Sequence, residues 1–187
     1  MANDADQIVV AANGTVYVAP VGTTAPTAPT GALNAAWKDL GFITEDGATF
    51  TDSKTVEDIL AWQSFYPVRK IVSAKDASVS FSLRQWNGRT VSLAFGGGNT
   101  VDLGGGNFSY VPPAPEVIDE RAMLIEWQDG DKNYRLILPK GLVTEAVETN
   151  LVRTGSAVLP ITFSITPDTG DDPYTFLADD PGWDSLS

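Results

Sequence analysis

Apolar positions in this chain recur mainly with a period of two, the spacing that sends successive side chains to opposite faces of a β-strand. Ala77, Val79, Phe81 and Leu83 alternate with Ser78, Ser80, Ser82 and Arg84, which predicts a half-buried strand with one apolar and one small polar face. Ala157, Leu159, Ile161, Phe163 and Ile165 alternate over a longer run with Ser156, Val158, Pro160, Thr162, Ser164 and Thr166. Pro160 has no N–H to give to a ladder, so this strand lies at an edge or carries a bulge there. Met123 to Trp127 and Tyr134 to Leu138, separated by Gln128-Asp-Gly-Asp-Lys-Asn, predict a hairpin. Further strands are expected at Trp37 to Thr44, Ala48 to Asp52, Val68 to Ser73 and Leu142 to Glu148. Gln7 to Ala19 is also strand-like, interrupted by a hairpin turn at Asn13-Gly14, a favoured type I′ pair.

One segment departs from this period. Asn87 to Gly96 offers an Asn N-cap, a stop glycine, and Val91, Ala94 and Phe95 at helical spacing, which predicts one short amphipathic helix laid across a sheet. After it, Gly96 to Gly98 and Gly104 to Gly106 flank a flexible or hairpin-forming excursion. The fold class is therefore mainly β, a sandwich or barrel-like domain with one flanking helix. Composition divides the chain into an opening strand or arm at 1–36, a β domain at 37–166 and an acidic tail at 167–187. The low-charge segment Pro20 to Gly31 has no periodicity and reads as a surface loop or as an arm ordered against a neighbour.

The chain has 187 residues, enough to bury roughly two-thirds of its unfolded surface without staples. It contains neither cysteine nor histidine. Disulfides, thiolate metal sites, cysteine nucleophiles, His-dependent triads and HExxH zinc helices are thereby excluded. Formal charge is −12, the wrong sign for gripping nucleic acid through its phosphates. Residues 1–37 carry only Asp4 and Asp6, and residues 167–187 carry six aspartates with no base, so the two ends supply most of that charge. No basic leader precedes an apolar run of signal length, and no apolar stretch is long enough to span a bilayer, so a soluble protein kept in a cytoplasm is expected.

The remaining candidate chemistry is weak. The glycine triplets lack the Lys-Ser/Thr of a phosphate loop and the GxGxxG spacing. The adjacent acids Glu45 with Asp46, Glu57 with Asp58, and Asp119 with Glu120 would point to opposite faces of a strand, a poor arrangement for a glycosidase pair. Asp168, Asp171, Asp172, Asp179 and Asp180 lack the spacing of an EF-hand calcium loop and read as a solvated acidic tail. Neither an enzyme nor a cofactor is expected. Within the tail Tyr174, Phe176, Leu177 and Trp183 are too apolar for a free end, and such a tail docks on its own core or on a neighbour.

Ala36-Trp-Lys-Asp-Leu-Gly-Phe-Ile-Thr-Glu-Asp-Gly47, Thr55-Val-Glu-Asp-Ile-Leu-Ala-Trp-Gln63, Pro67-Val-Arg69 and the strand Ala77 to Arg84 leading to Phe95-Gly96 together resemble the major tail tube proteins of long-tailed, non-contractile phages, especially those infecting actinobacteria. The resemblance implies a compact β domain, six copies to a ring, rings stacked into a hollow conduit for DNA in the virion tail, and assembly in the host cytoplasm. It also implies tape-measure and terminator or tip proteins as partners, with DNA passing unbound and no membrane contact. The segment Thr51 to Val68, with Glu57, Asp58, Ile59, Trp62, Phe65 and Tyr66, resembles the long loop that meets the adjacent ring; a hairpin closed over its own core is the other reading. Tyr174, Phe176 and Trp183 join it as subunit-contact candidates. Luminal acids are sought first at Glu45, Asp46 and Asp52, within a wider pool that includes Glu57, Asp58, Glu126, Asp129, Glu145 and Glu148.

The geometry of such a conduit is independently computable. A backbone cylinder roughly 40 to 50 Å across, wide enough for a duplex of roughly 20 Å and side chains, takes on the order of two dozen tilted strands. One chain cannot supply them, whereas six chains giving about four each can. Two other classes compete: a head-to-tail connector or capsid decoration protein, and a carbohydrate-binding β-sandwich resting on the five tryptophans.

Overall fold

A computed structural model describes residues 5–168 and 170–183; Asp4 and Asp184, counted above among the acids of the two ends, lie outside the described residues. In chain order the elements are β1 (Asn13–Pro20), β2 (Lys38–Asp39), β3 (Ile43–Ile59), β4 (Arg69–Leu83), α1 (Gly88–Ala94), β5 (Asn99–Gly104), β6 (Asn107–Val111), β7 (Arg121–Asp129), β8 (Lys132–Val143), β9 (Leu159–Ile165) and β10 (Thr175–Ala178). One antiparallel sheet runs β2-β1-β7-β8-β9-β4-β3, with β10 added on β8, and β5–β6 form a separate hairpin. The predicted β7–β8 hairpin turns at Gly130-Asp131, where Gly130 takes the positive φ of 59° that the tight turn needs.

The sheet turns back on itself at β8. Tyr134 to Ile137 lie between β7 and β10, whereas Gly141 to Val143 pair with Ile165 to Phe163 of β9. Gly141 makes that change of partner possible, because a Cβ there would lie 2.4 Å from the Ser164 carbonyl oxygen and 2.5 Å from the Phe163 ring. The two halves then share one core. Val16 and Val18 of β1 and Met123 and Ile125 of β7 meet Val79, Phe81 and Leu83 of β4 and Leu159, Ile161 and Phe163 of β9. β1 and β3 are not paired with each other, so the sheet folds over without closing into a barrel. Pro160 faces Ser82 of β4, and on its other side β8 partners β9 only from Phe163 onward, so the proline occupies a locally open edge.

Helix α1 forms where its cap predicts. The Asn87 side chain accepts from the Arg89 and Thr90 N–H groups, and the Thr90 hydroxyl accepts from the Asn87 N–H, a reciprocal capping box. Its buried face is Leu93 and Ala94, with Val91 partly buried; Phe95, expected inward, lies half-exposed against Tyr110 at 6.0 Å between ring centroids.

Several expected elements are corrected. Asn13-Gly14 makes no turn: it opens β1 and pairs in register with Gln128 and Trp127, because a neighbouring strand outcompetes the local turn preference, and the residues before it are not strand. The strand expected at Trp37 to Thr44 is only Lys38–Asp39 before β3 starts, since Gly41 (φ 81°) breaks it. The strand expected at Leu142 to Glu148 ends at Val143. The loop expected from Thr51 is strand as far as Ile59, because Val56, Glu57 and Asp58 pair with Val72, Ile71 and Lys70.

The other face of the β1-β7-β8 half carries a second apolar cluster of Ala19, Trp37, Ala122, Leu124 and Ile137, with Leu33 packed against it. Arg135, only 4% exposed, holds the segment between β1 and β2 over this face. Its guanidinium donates to the carbonyls of Ala28 (2.7 Å), Thr30 (3.1 Å) and Gly31 (2.7 Å), and its Nε donates to Glu126 at 2.5 Å. A Pro/Thr/Ala segment with few anchoring side chains is thus ordered through its backbone, on its own sheet.

Two outcomes follow. Gly141→Ala is expected to lower stability by about 1–3 kcal/mol through overpacking at the sheet turn, read as a shifted denaturant midpoint. Arg135→Ala is expected to cost about 1–3 kcal/mol by removing the buried guanidinium's bonds to Glu126 and three carbonyls, and to open residues 20–36 to limited proteolysis.

Candidate assembly surfaces

Beyond Asp52 and Ala77, β3 and β4 leave the core together as a two-stranded arm whose residues are exposed on both faces. Its tip is apolar: Trp62 is 101% exposed, Phe65 104% and Tyr66 80%, with Leu60, Val68 and Ile59 beside them. Monomeric surfaces rarely keep a contiguous patch of this kind. Asp58 lies lower on the arm, ion-paired with Lys70 at 2.5 Å, and exposed pairs of this sort contribute only about 0–1 kcal/mol. Glu57, Asp58, Ile59, Trp62, Phe65 and Tyr66 therefore occupy one projection, the first two on its shaft and the aromatics at its end.

The half-sheet β3-β4-β9 has a different outer face. Ser78, Ser80 and Ser82 of β4 stand opposite Ser164, Thr162 and Pro160 of β9, while Thr51 and Thr49 of β3 stand opposite Ser78 and Ser80. Side chains directly opposite across a ladder share a face, so these form a surface of hydroxyls backed by the core residues Val79, Phe81 and Leu83. Ser80 and Thr162 hydroxyls lie 3.3 Å apart, Thr144 and Ser164 hydroxyls 2.9 Å apart, and Thr162 donates to Glu145 at 2.9 Å. The alternation in each strand was legible separately; that the three polar faces coincide depends on register.

The candidate acids do not converge on this face. Asp46, in the irregular stretch between Ile43 and Ala48, borders it beside Ser80, Ser82 and Thr162, as does Glu145. Asp52 has the core-side parity of Phe50 and accepts a short hydrogen bond from the Tyr174 hydroxyl. Glu45 lines a cleft with Phe50 and Trp127. Glu126 is held by Arg135, Asp129 accepts from the Val10 N–H at 2.9 Å, and Glu148 is exposed in the connection after β8.

The tail folds onto its own domain. Tyr174 and Phe176 pack edge-on against Phe50 at 4.9 and 5.6 Å, Phe176 also meets Trp127, and Trp183 reaches Tyr134 and Phe176 while staying 52% exposed. Asp180 is buried, receiving the Tyr134 hydroxyl (2.7 Å), the Gly182 N–H (2.9 Å) and the Lys132 ammonium (3.1 Å). The Gly182 N–H and the Tyr134 hydroxyl hold its carboxyl below the usual range, and the Asn133 N–H and side-chain amide do the same for Asp179. Burial, helped by Asp180, pushes the Tyr134 phenol up to about 12. Asp168 pairs with Lys140 at 2.8 Å, and among the described residues no group of acids converges as a metal site.

The five tryptophans form no shared platform: Trp37 is buried, Trp86 donates to the Ala157 carbonyl, Trp127 and Trp183 serve the tail cluster, and Trp62 sits at the arm tip. Among the described residues no helix is long and apolar enough to cross a membrane. A family model described as phage tail tube protein matches residues 1–185. No curated protein matches the chain.

The tail anchors carry a pH signature. Carboxyls with depressed folded values stabilise fully above their unfolded value of about 3.9, and that contribution is lost as pH falls through the folded values. Tyr134 has the opposite sign, its contribution lasting below about 10 and fading as pH rises toward about 12. Thermal unfolding of dilute protein is expected to show Asp180→Asn less stable than wild type at neutral pH, with the gap shrinking below about pH 4.

Proposed function

We propose a ring geometry for this chain, which belongs to the phage tail tube protein family and serves the virion tail as a structural, non-enzymatic subunit that polymerises into a tube. Six copies join their β3-β4-β9-β8 half-sheets edge to edge, supplying the roughly two dozen strands that a DNA-wide cylinder takes. Two features support the joining. The outer edge of β3 has no partner among the described residues, and β8 has left β7 after Gly141, so both margins of the half-sheet offer open backbone. Open edges on a domain this well packed invite pairing with another chain.

The hydroxyl face carries the reading, since its opposed serines and threonines make a broad, uncharged polar sheet surface. Turned to the bore, its hydroxyls offer a sliding polyanion no cationic partner except Arg84, just past the end of β4, whose guanidinium donates to the Ser156 hydroxyl at 2.6 Å, so few counterions are released and little binding free energy accumulates. Asp46 and Glu145 at its borders add repulsion. DNA then passes without specific binding. The arm formed by β3 and β4 reaches the adjacent ring, a tape-measure protein occupies the bore during assembly, and terminator and tip proteins close the ends. The virion is that of a long-tailed, non-contractile phage of actinobacteria, with assembly in the host cytoplasm.

Negative-stain microscopy at rising protein concentration is expected to show six-fold rings and hollow tubes, whereas a monodisperse monomer at all concentrations would refute the geometry. Placing cations on the wall with Ser80→Arg and Thr162→Arg should make tubes retain short duplex DNA in co-sedimentation. Each new phosphate contact should add about 0.9 to the salt slope, while wild-type tubes retain none. Equal retention by both would place this face outside the bore.

A further inference from the structure

Between the unpaired strands β1 and β3 lies an open cleft of about 1150 Å³. Phe50, Trp127, Leu136 and Phe176 form its apolar floor. Of its charged lining, Arg135 and Glu126 neutralise each other at 2.5 Å, which leaves Asp39 and Glu45 without an ion pair among the described residues. The cleft is therefore apolar below, with the Asp39 and Glu45 carboxylates at its rim and the Arg89 guanidinium beside them on the Asp39 carbonyl at 2.6 Å.

The arm tip has the complementary character. Its aromatic end is fully exposed, and Arg69, paired in register with Ile59 at the base of the tip, forms no ion pair among the described residues. Residues 53–76 carry four bases and three acids on a chain whose formal charge is −12. Lys54 stands directly opposite Lys75 across the ladder, a like-charge pair that disfavours the isolated arm and is relieved by an acidic surface from outside.

We infer that the Trp62–Phe65–Tyr66 tip of one copy seats in this cleft of a second copy, with Arg69 meeting the rim carboxylates. The tip cannot reach its own cleft. β3 supplies one wall of it through Gly47, Ala48 and Phe50, and from Asp52 the arm runs away for about 23 Å at about 3.3 Å per residue. The register shift at Thr55/Val56 bends a strand without reversing it. Because tip and cleft are different patches, the contact is heterologous: each copy that donates a tip still offers an empty cleft, so growth continues around a ring or along a filament instead of stopping at a dimer. The inference deepens the tube reading, on which it rests for the identity of the partner as a second copy.

The absence of native cysteine makes the contact directly measurable. Full-length Phe65→Cys and Thr44→Cys variants, the second placed in the cleft lining, are mixed and treated with a short bis-maleimide. The mixture is expected to give a covalent dimer that neither variant gives alone, and the double variant a ladder of higher species. Adding Trp62→Ala, or Arg69→Glu at low salt, should abolish most of the product, with thermal unfolding confirming that each variant is folded. Tubes in the microscope without cross-links, or self-linking of Phe65→Cys alone, would overturn the inference and leave the tube reading standing. Cross-links without rings or tubes would uphold the contact and refute the tube.

Discussion

One strand, β8, has to satisfy two half-sheets, and the rest of the architecture depends on how it does so. Its first half is hydrogen-bonded on both sides, by β7 and β10, and its last residues change partners to β9. The change requires backbone to pass within contact distance of Phe163 and the Ser164 carbonyl, which a glycine at 141 permits. Because the sheet folds over there, the apolar sides of β1 and β7 come to face those of β4 and β9, and a single core forms. The same fold turns the serine and threonine sides of β4 and β9 outward together, so the hydroxyl surface is a by-product of the interaction that makes the core.

Around that core the two chain ends act as covers rather than as free extensions. The segment after β1 is held by Arg135 through carbonyls, and the tail is held by rings and by Asp179 and Asp180. Much of the acidity that composition assigns to the tail is thereby spent on internal hydrogen bonds, which makes formal charge a poor guide to the field at any one surface. The projecting arm is the exception in both respects, being apolar at its end and relatively basic along its shaft.

What this asks of the domain is rigidity in the sheet and exposure at its margins. The half-sheet with open edges, the arm and the cleft lie outside the packed region, where they are available to other copies without disturbing the core. A subunit that must join neighbours on several sides has reason to keep its own stability in the interior and its unpaired backbone at the perimeter.

The period-two runs at Ala77 to Leu83 and Leu159 to Ile165, the hairpin at Gly130-Asp131 and the capped helix after Asn87 were legible in the sequence, because each is governed by residues within a few positions of one another. The apolar character of the arm tip was legible as well. Tertiary structure alone decided that Asn13-Gly14 belongs to a ladder, that β3 runs on to Ile59, that Asp52 turns toward Tyr174 while Asp46 borders the hydroxyl face, and that Arg135 clasps a segment more than a hundred positions away. Local pattern sets which face of a strand is apolar, but pairing partner and register set what that face meets, and those are contacts between residues far apart in the chain.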